Sequence, residues 1–314
     1  MLMNRAAIAV VSAIFAPLLC PLLCQAASPF AGRWDFTVPG ANSNSSYWIG
    51  VTDKNGTLDV WFQPSGGNVI QMKDFQATGS HLSLTTSAAT ATKPATTWEL
   101  DAAGGKLTGA IRNGATSTPV TGLPAPALKR AEPKAWTTPV ALFNGKDLTG
   151  WVPIGNVAAN HWNVTDGLLV NEERGANLKT TGTYTDFKLH FEVNCPDLAN
   201  SGFYLRGRYE VQLEYEKPGT DPPERSMGSI YGRITPSPEL PRTPGQWESF
   251  DVMLVGRTVT ISRNGVMTTD HKEIEGITGG ALDANEGDPG PFYIQGDHTG
   301  GLKFRNITVS VPKP

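Results

Sequence analysis

YLRGRYEVQLEYE, residues Tyr204–Glu216, alternates polar and apolar side chains along its length. Side chains of a β-strand point to opposite faces with period two. Read as one strand, the stretch places Arg206, Arg208, Glu210, Gln212 and Glu214 on one side. Leu205, Gly207, Tyr209, Val211 and Leu213 take the other, which suits a core. The polar side either meets bulk water, as a salt-bridged outer face does, or lines a groove for a polar ligand. The residues alone leave both open.

The rest of the chain points to the same fold class. Its 314 residues suggest two domains, and a formal charge of −3 argues against a nucleic-acid partner. Gly 34 and Pro 24 are high, long helical periodicity is missing, and short alternating runs separated by turn residues predict an all-β protein. Residues 1–26 read as an export signal with an apolar run, AAIAVVSAIFAPLLCPLLC, and cleavage near Ala26. An uncleaved anchor is the rival reading, which Pro17 and Pro21 disfavour by interrupting the run. Cys24 is a minority lipidation candidate. After cleavage no stable membrane span is expected, and Cys195 is the one cysteine left, so no internal disulfide forms. It reads as a core residue. The expected location is periplasmic or extracellular.

Residues 28–122 read as a small antiparallel sheet or partial barrel of about six strands. Lys54-Asn55-Gly56 marks a hairpin turn. Residues 123–136, LPAPALKRAEPKAW, form a proline- and alanine-rich linker. From residue 137 to 314, strand-like runs without intervening helices suggest a two-sheet jelly-roll sandwich. Arg263-Asn264-Gly265 supplies another hairpin turn, and Trp162 and Trp247 are expected in the core.

Several strings in this second unit carry a resemblance: LFNGKDLTGW, HWNVTDGLLV, NSGFYLRGRYEVQLEYE, SIYGRITPSPELPRTPGQWESFDVMLVGRTVTISRNGV and TGGALDANEGDPGPFYIQGDHTGGLKFRNITV. Together they are similar to the 3-keto-disaccharide hydrolase domain family, over roughly Thr137 to Val311. The N-terminal unit resembles the small β-domain that often precedes that domain, with less specific motifs. The resemblance implies a concanavalin A-like jelly roll with its site on the concave sheet. It also implies a carbohydrate substrate, a glycoside whose C3 ketone a separate sugar 3-oxidoreductase makes beforehand. A non-catalytic carbohydrate-binding module is the alternative, because fold alone does not imply chemistry.

A C3 ketone acidifies the C2 proton, so such a bond can break by elimination followed by water addition. That route needs a base near C2, donors at the C3 oxygen and an acid at the leaving oxygen. Glu210 is the candidate base, Arg206 and Arg208 the oxyanion donors, and His298 or Asp297 the acid. An ion pair with either arginine would weaken Glu210 as a base by lowering its pKa. Gln212, Tyr231, Arg233, Gln295 and Glu286 are candidate substrate contacts. In FYIQGDH, Tyr293, Gln295 and Asp297 share a face opposite Phe292 and Ile294. Each has an ordinary reading too: His298 as a structural residue, Asp297 as a turn cap, Tyr231 as a rim aromatic. The acidic loop Asp283, Glu286, Asp288 has Ca²⁺-binding residue types but not the EF-hand spacing. A solvated loop is expected there, with no metal or cofactor assigned. The chain lacks GxSxG, HExxH and phosphate-cradling motifs.

Overall fold

The computed structural model describes residues 27–40, 45–220 and 222–314. The expected export segment, with Cys24, lies outside them. Among the described residues no helix is long and apolar enough to cross a membrane.

The chain is all-β. The N-terminal part is an open, curled half-barrel of nine antiparallel strands. Their spatial order is Ile70–Gln71, Thr57–Gln63, Ser45–Lys54, Gly32–Val38, Thr116–Pro124, Lys106–Asn113, Thr96–Ala103, His81–Ser87, Phe75–Thr78. Its inner face packs Phe36, Ile49, Phe62, Trp98 and Leu100, with Phe36 and Phe62 edge-on to Trp98 at 5.3 Å. Nine strands exceed the six expected from alternation. Two of the extra strands are short edges, and Thr116–Pro124 buries little beyond Val120. The Asn55-Gly56 turn forms as expected, both residues taking positive φ.

The C-terminal part is a jelly-roll sandwich of an eight-stranded and a five-stranded sheet. Phe191 stacks on Phe203 at 4.4 Å and on Phe250 at 5.0 Å between the layers. Cys195 and Trp162 are buried there, and burial pushes the Cys195 thiol up to about 12, leaving it inert. Trp247 is instead half-buried under the Arg305 guanidinium, 4.0 Å from its ring centre.

The five-stranded sheet runs Trp151–Ile154, Asn177–Thr180, Tyr293–Ile294, Asn200–Leu205, Tyr209–Glu214. Here the single-strand reading of residues 204–216 is corrected to a hairpin. Arg206 and Gly207 turn the chain at φ 54° and 68°, and Arg208 N donates to Leu205 O at 3.1 Å. Positive φ at both central positions matches the twist of the flanking strands. For the non-glycine Arg206 this conformation costs about 1–2 kcal/mol. Beyond the turn, Tyr209, Val211 and Leu213 enter the core as expected. The opposite face pairs Tyr204 with Glu210, Gly202 with Gln212 and Asn200 with Glu214.

The two parts share a small core in which Trp48 and Val69 meet Ile277, Ala281 and Ala284. Arg233 caps it, its guanidinium 4.4 Å from the Trp48 ring centre. The connecting segment is pinned as well: Arg257 N donates to Leu128 O at 3.2 Å, and Arg130 pairs with Asp186 at 3.0 Å.

Candidate functional site

A cavity of ≈ 330 Å³ opens over the five-stranded sheet. The hairpin supplies Tyr204, Glu210 and Gln212, and the neighbouring strand with its following turn supplies Tyr293, Gln295, Asp297 and His298. Tyr231, Gly279–Gly280 and the N-terminal loop Ser65–Gly67 close it. A larger hollow of ≈ 460 Å³ lies over the eight-stranded sheet, but its His190 and Asp251 bind each other at 2.8 Å. The smaller cavity holds unmatched polar groups. Gln212 Oε1 and Gln295 Oε1 are buried there without a protein donor. Buried acceptors need donors, and sugar hydroxyls are suitable ones.

Glu210 sits in a pocket that a side chain at position 202 would fill. A Cβ on Gly202 would stand 2.0 Å from Glu210 Oε1, so the missing side chain makes room for the carboxyl. Tyr204 Oη lies 2.8 Å from Glu210 Oε2 and 2.6 Å from Gly279 O, and it accepts from Gln295 Nε2 at 2.9 Å. A phenol has one proton to give. The Gly279 carbonyl has none, so the shorter contact takes the tyrosine proton. The Glu210 contact then needs a proton from Glu210 itself. A neutral carboxyl satisfies the Tyr204 hydroxyl, the Gly279 carbonyl and Glu210 Oε2 together.

Electrostatics point the same way. Burial is the largest cause and raises Glu210 well above the ordinary carboxyl range; the Tyr204 hydrogen bond pulls against it, and the charges of Glu214 and Asp297 add to the rise. No arginine acts on it among the groups that shift it. Burial likewise raises the Tyr204 and Tyr293 phenols, which stack at 4.2 Å.

Asp297 and His298 form the second titratable pair. His298 Nδ1 lies 2.9 Å from Asp297 Oδ1, and Asn177 Nδ2 donates to Asp297 Oδ2 at 3.3 Å. Asn177 Oδ1 accepts from the backbone N–H groups of Gly296 and Asp297 at 2.8 and 3.1 Å, which sets the turn. Burial raises Asp297, but His298 and Asn177 together outweigh it and hold the carboxyl below its usual range. A carboxylate at Nδ1 favours the tautomer with the proton there, which makes Nε2 the available acceptor.

Of the residues singled out in the sequence, Glu210, Gln212, Tyr231, Gln295, Asp297 and His298 line this cavity. Arg206, Arg208, Arg233 and Glu286 do not. Arg206 lies over the Tyr209 ring and donates to Gly256 O at 2.6 Å. Arg208 donates to Asp283 Oδ1 at 2.7 Å and Asp288 O at 2.9 Å. Arg233 donates to Ile277 O at 2.7 Å beneath Trp48. The shared polar face expected for Arg206 through Glu214 fails because the turn diverts its first members to the sandwich end. Glu286 is fully buried against Arg257 at 2.6 Å, while Asn285, Gly287 and Asp288 beside it are exposed, so the solvated loop expected there holds except at Glu286. Among the described residues no three His, Cys, Asp or Glu are placed to hold a metal ion. The residues missed were Tyr204, Asn200, Gly202 and the two glycine-bearing loops. Glycines inside a strand and in paired loops were the available hints of close approach.

A family model for the 3-keto-alpha-glucoside-1,2-lyase-like domain matches residues 138–310, more than half of the chain, in line with the resemblance noted in the sequence. No curated protein matches. Among solved structures, a candidate glycosyl hydrolase from Parabacteroides distasonis is 28% identical with a TM-score of 0.46. That alignment covers 55% of this chain and 82% of that one. A second from the same organism is 21% identical with a TM-score of 0.46, over 55% and 92%. A carbohydrate-binding module from Bacillus subtilis is 12% identical with a TM-score of 0.32, over 51% and 94%.

Proposed function

We propose that this chain, which belongs to the 3-keto-α-glucoside-1,2-lyase-like family, cleaves 3-keto-glycosides by elimination across C1 and C2. His298 Nε2 takes the C2 proton, held for that task by Asp297. The C2–H electron pair forms an enolate onto the C3 oxygen, which the Gln212 amide and the Tyr231 hydroxyl receive in place of the diverted arginines. The C1–O bond then breaks, its electron pair leaving with the aglycon oxygen, and Glu210 gives that oxygen its proton. The product is a 1,2-unsaturated 3-keto sugar, and water addition completes a net hydrolysis. This reverses the roles first assigned to Glu210 and the His298–Asp297 pair.

One observation carries the reading: the hydrogen count at Glu210 makes it a neutral acid across a sugar-sized cavity from a histidine–aspartate pair. A sugar 3-oxidoreductase supplies the substrate in this proposal, and residues 1–26 direct the chemistry outside the cytoplasm.

The binding-module reading rests on Gln212 and Gln295, whose unmatched oxygens suit hydroxyl recognition without any proton transfer. Incubation with 3-keto-trehalose and methyl 3-keto-α-glucoside, beside the unoxidised sugars, separates the two. Release of aglycon from the 3-keto sugars alone is expected, with solvent deuterium at C2 once water has added. No release at high protein concentration leaves the binding reading, and release without deuterium at C2 removes elimination.

A further inference from the structure

The N-terminal half-barrel reaches the cavity through one loop. Ser65, Gly66 and Gly67 form part of its wall, although they belong to the other sheet. The loop is braced from within: the buried Gln63 donates through Nε2 to Pro64 O at 2.9 Å and to Gly67 O at 2.7 Å. It is also bonded across to the jelly roll, where Gly280 N donates to Ser65 O at 2.8 Å. The next residue back, Gly279, fits against it so closely that an added Cβ would stand 2.3 Å from Gly67 O.

Gly279 O is the atom that holds the Tyr204 proton, and Tyr204 in turn sits against Glu210. The loop therefore flanks the acid end of the cavity. In the reading proposed above, on which this inference rests, the group beside that acid is the leaving oxygen with whatever it carries. From this we infer that Ser65–Gly67 forms the aglycon side of the site, and that the N-terminal half-barrel selects among leaving groups.

The chemistry of the loop suits that role. Two glycines present backbone in place of side chains, which leaves space for a second sugar ring. Gly67 needs its glycine for φ +78°, whereas Gly66 has no positive φ and an added Cβ there meets no atom within 4 Å. A Cβ at position 66 is thus accommodated in open space on the cavity wall without strain. The half-barrel then has a direct part in specificity and is more than a spacer.

The test is a graded series in the full chain, Gly66→Ala, Gly66→Val and Gly66→Trp. Each is assayed for kcat/KM on 3-keto-trehalose and on methyl 3-keto-α-glucoside. The ratio of the two, disaccharide over methyl glycoside, is expected to fall stepwise with side-chain volume, reaching about tenfold or more at tryptophan. A ratio that stays within about twofold of the parent across the folded members overturns the inference. Should Gly66→Trp not fold, the alanine and valine variants decide by whether the ratio declines from one to the next. If the parent chain turns over neither substrate, the elimination reading has failed separately. The same variants are then titrated with trehalose and methyl α-glucoside by calorimetry. A selective loss of trehalose affinity keeps the loop as the second-ring site, and parallel affinities for both ligands remove it.

Discussion

The two ends of the Asn200–Glu214 hairpin use the same kinds of residue for opposite purposes. At the turn, Arg206 and Arg208 are buried and donate to protein oxygens: Gly256 O, the Tyr209 hydroxyl, Asp283 and Asp288 O. Along the strands, Glu210, Gln212 and Tyr204 are equally buried yet face a cavity. The turn end spends its charge on tying the 278–290 loop to the sandwich. The strand end keeps polar atoms facing a space the size of a sugar. Burial alone does not separate the two ends; what differs is that the strand end faces an open cavity and the turn end does not.

Substitutions at the two ends should therefore fail differently. The largest effect is expected for Glu210→Gln, which removes the acid while keeping its shape and neutrality. Turnover of 3-keto-trehalose should drop by about 10²–10⁴-fold with the melting temperature preserved. A loss of melting temperature matching the loss of rate would make Glu210 structural. At the other end, Arg208→Ala leaves Asp283 unpaired and the Asp288 carbonyl without its donor. Urea denaturation should report a loss of about 2–3 kcal/mol, below the full figure for a buried pair because Asp283 is partly exposed. Turnover under folding conditions should change much less, and a rate loss exceeding that of Glu210→Gln would return the arginines to the chemistry.

Gly202→Ala sharpens the same contrast from inside the cavity. Its Cβ would stand 2.0 Å from Glu210 Oε1, so the carboxyl must leave its place beside Tyr204. A kcat lower by about 10–100-fold is expected, and an unchanged kcat would show that Glu210 needs no fixed position. A separate effect concerns pH beside the turn end. Asp35, on the half-barrel, is raised from 3.8 to about 8, first by burial and then by the charge of Glu286, against the pull of Arg257. A raised carboxyl gives stability that is full below about pH 4 and is lost as pH climbs through about 8. Asp35→Asn should flatten the fall in unfolding free energy across that window, measured by urea titration at several pH values. An unaltered slope would assign the pH dependence elsewhere.

Much of the fold was legible because local alternation and local turns agree with the tertiary result. Tyr209, Val211 and Leu213 follow the period of a strand into the core, and Asn55-Gly56 and Asn264-Gly265 turn where their φ preferences allow. Arg206-Gly207 escaped notice because arginine seldom takes positive φ, although Gly207 beside it was the cue. In the site, strand alternation alone put Gln212 with Glu210, and Gln295 with Asp297. The partners of charged residues were not legible. Glu286 reads as a loop carboxylate until Arg257 is placed against it, and nothing local predicts that meeting. The contribution of Ser65–Gly67 depends on two sheets docking through Trp48 and Ile277, which no window of sequence contains.

The proposed elimination needs one proton, on Glu210. A ¹³C NMR titration of side-chain carboxyls in the full chain, with Glu210 assigned by its loss in Glu210→Gln, reads that proton directly. The Glu210 carboxyl should titrate with its midpoint well above the ordinary carboxyl range. A midpoint near about 4, as for a solvated glutamate, would contradict it.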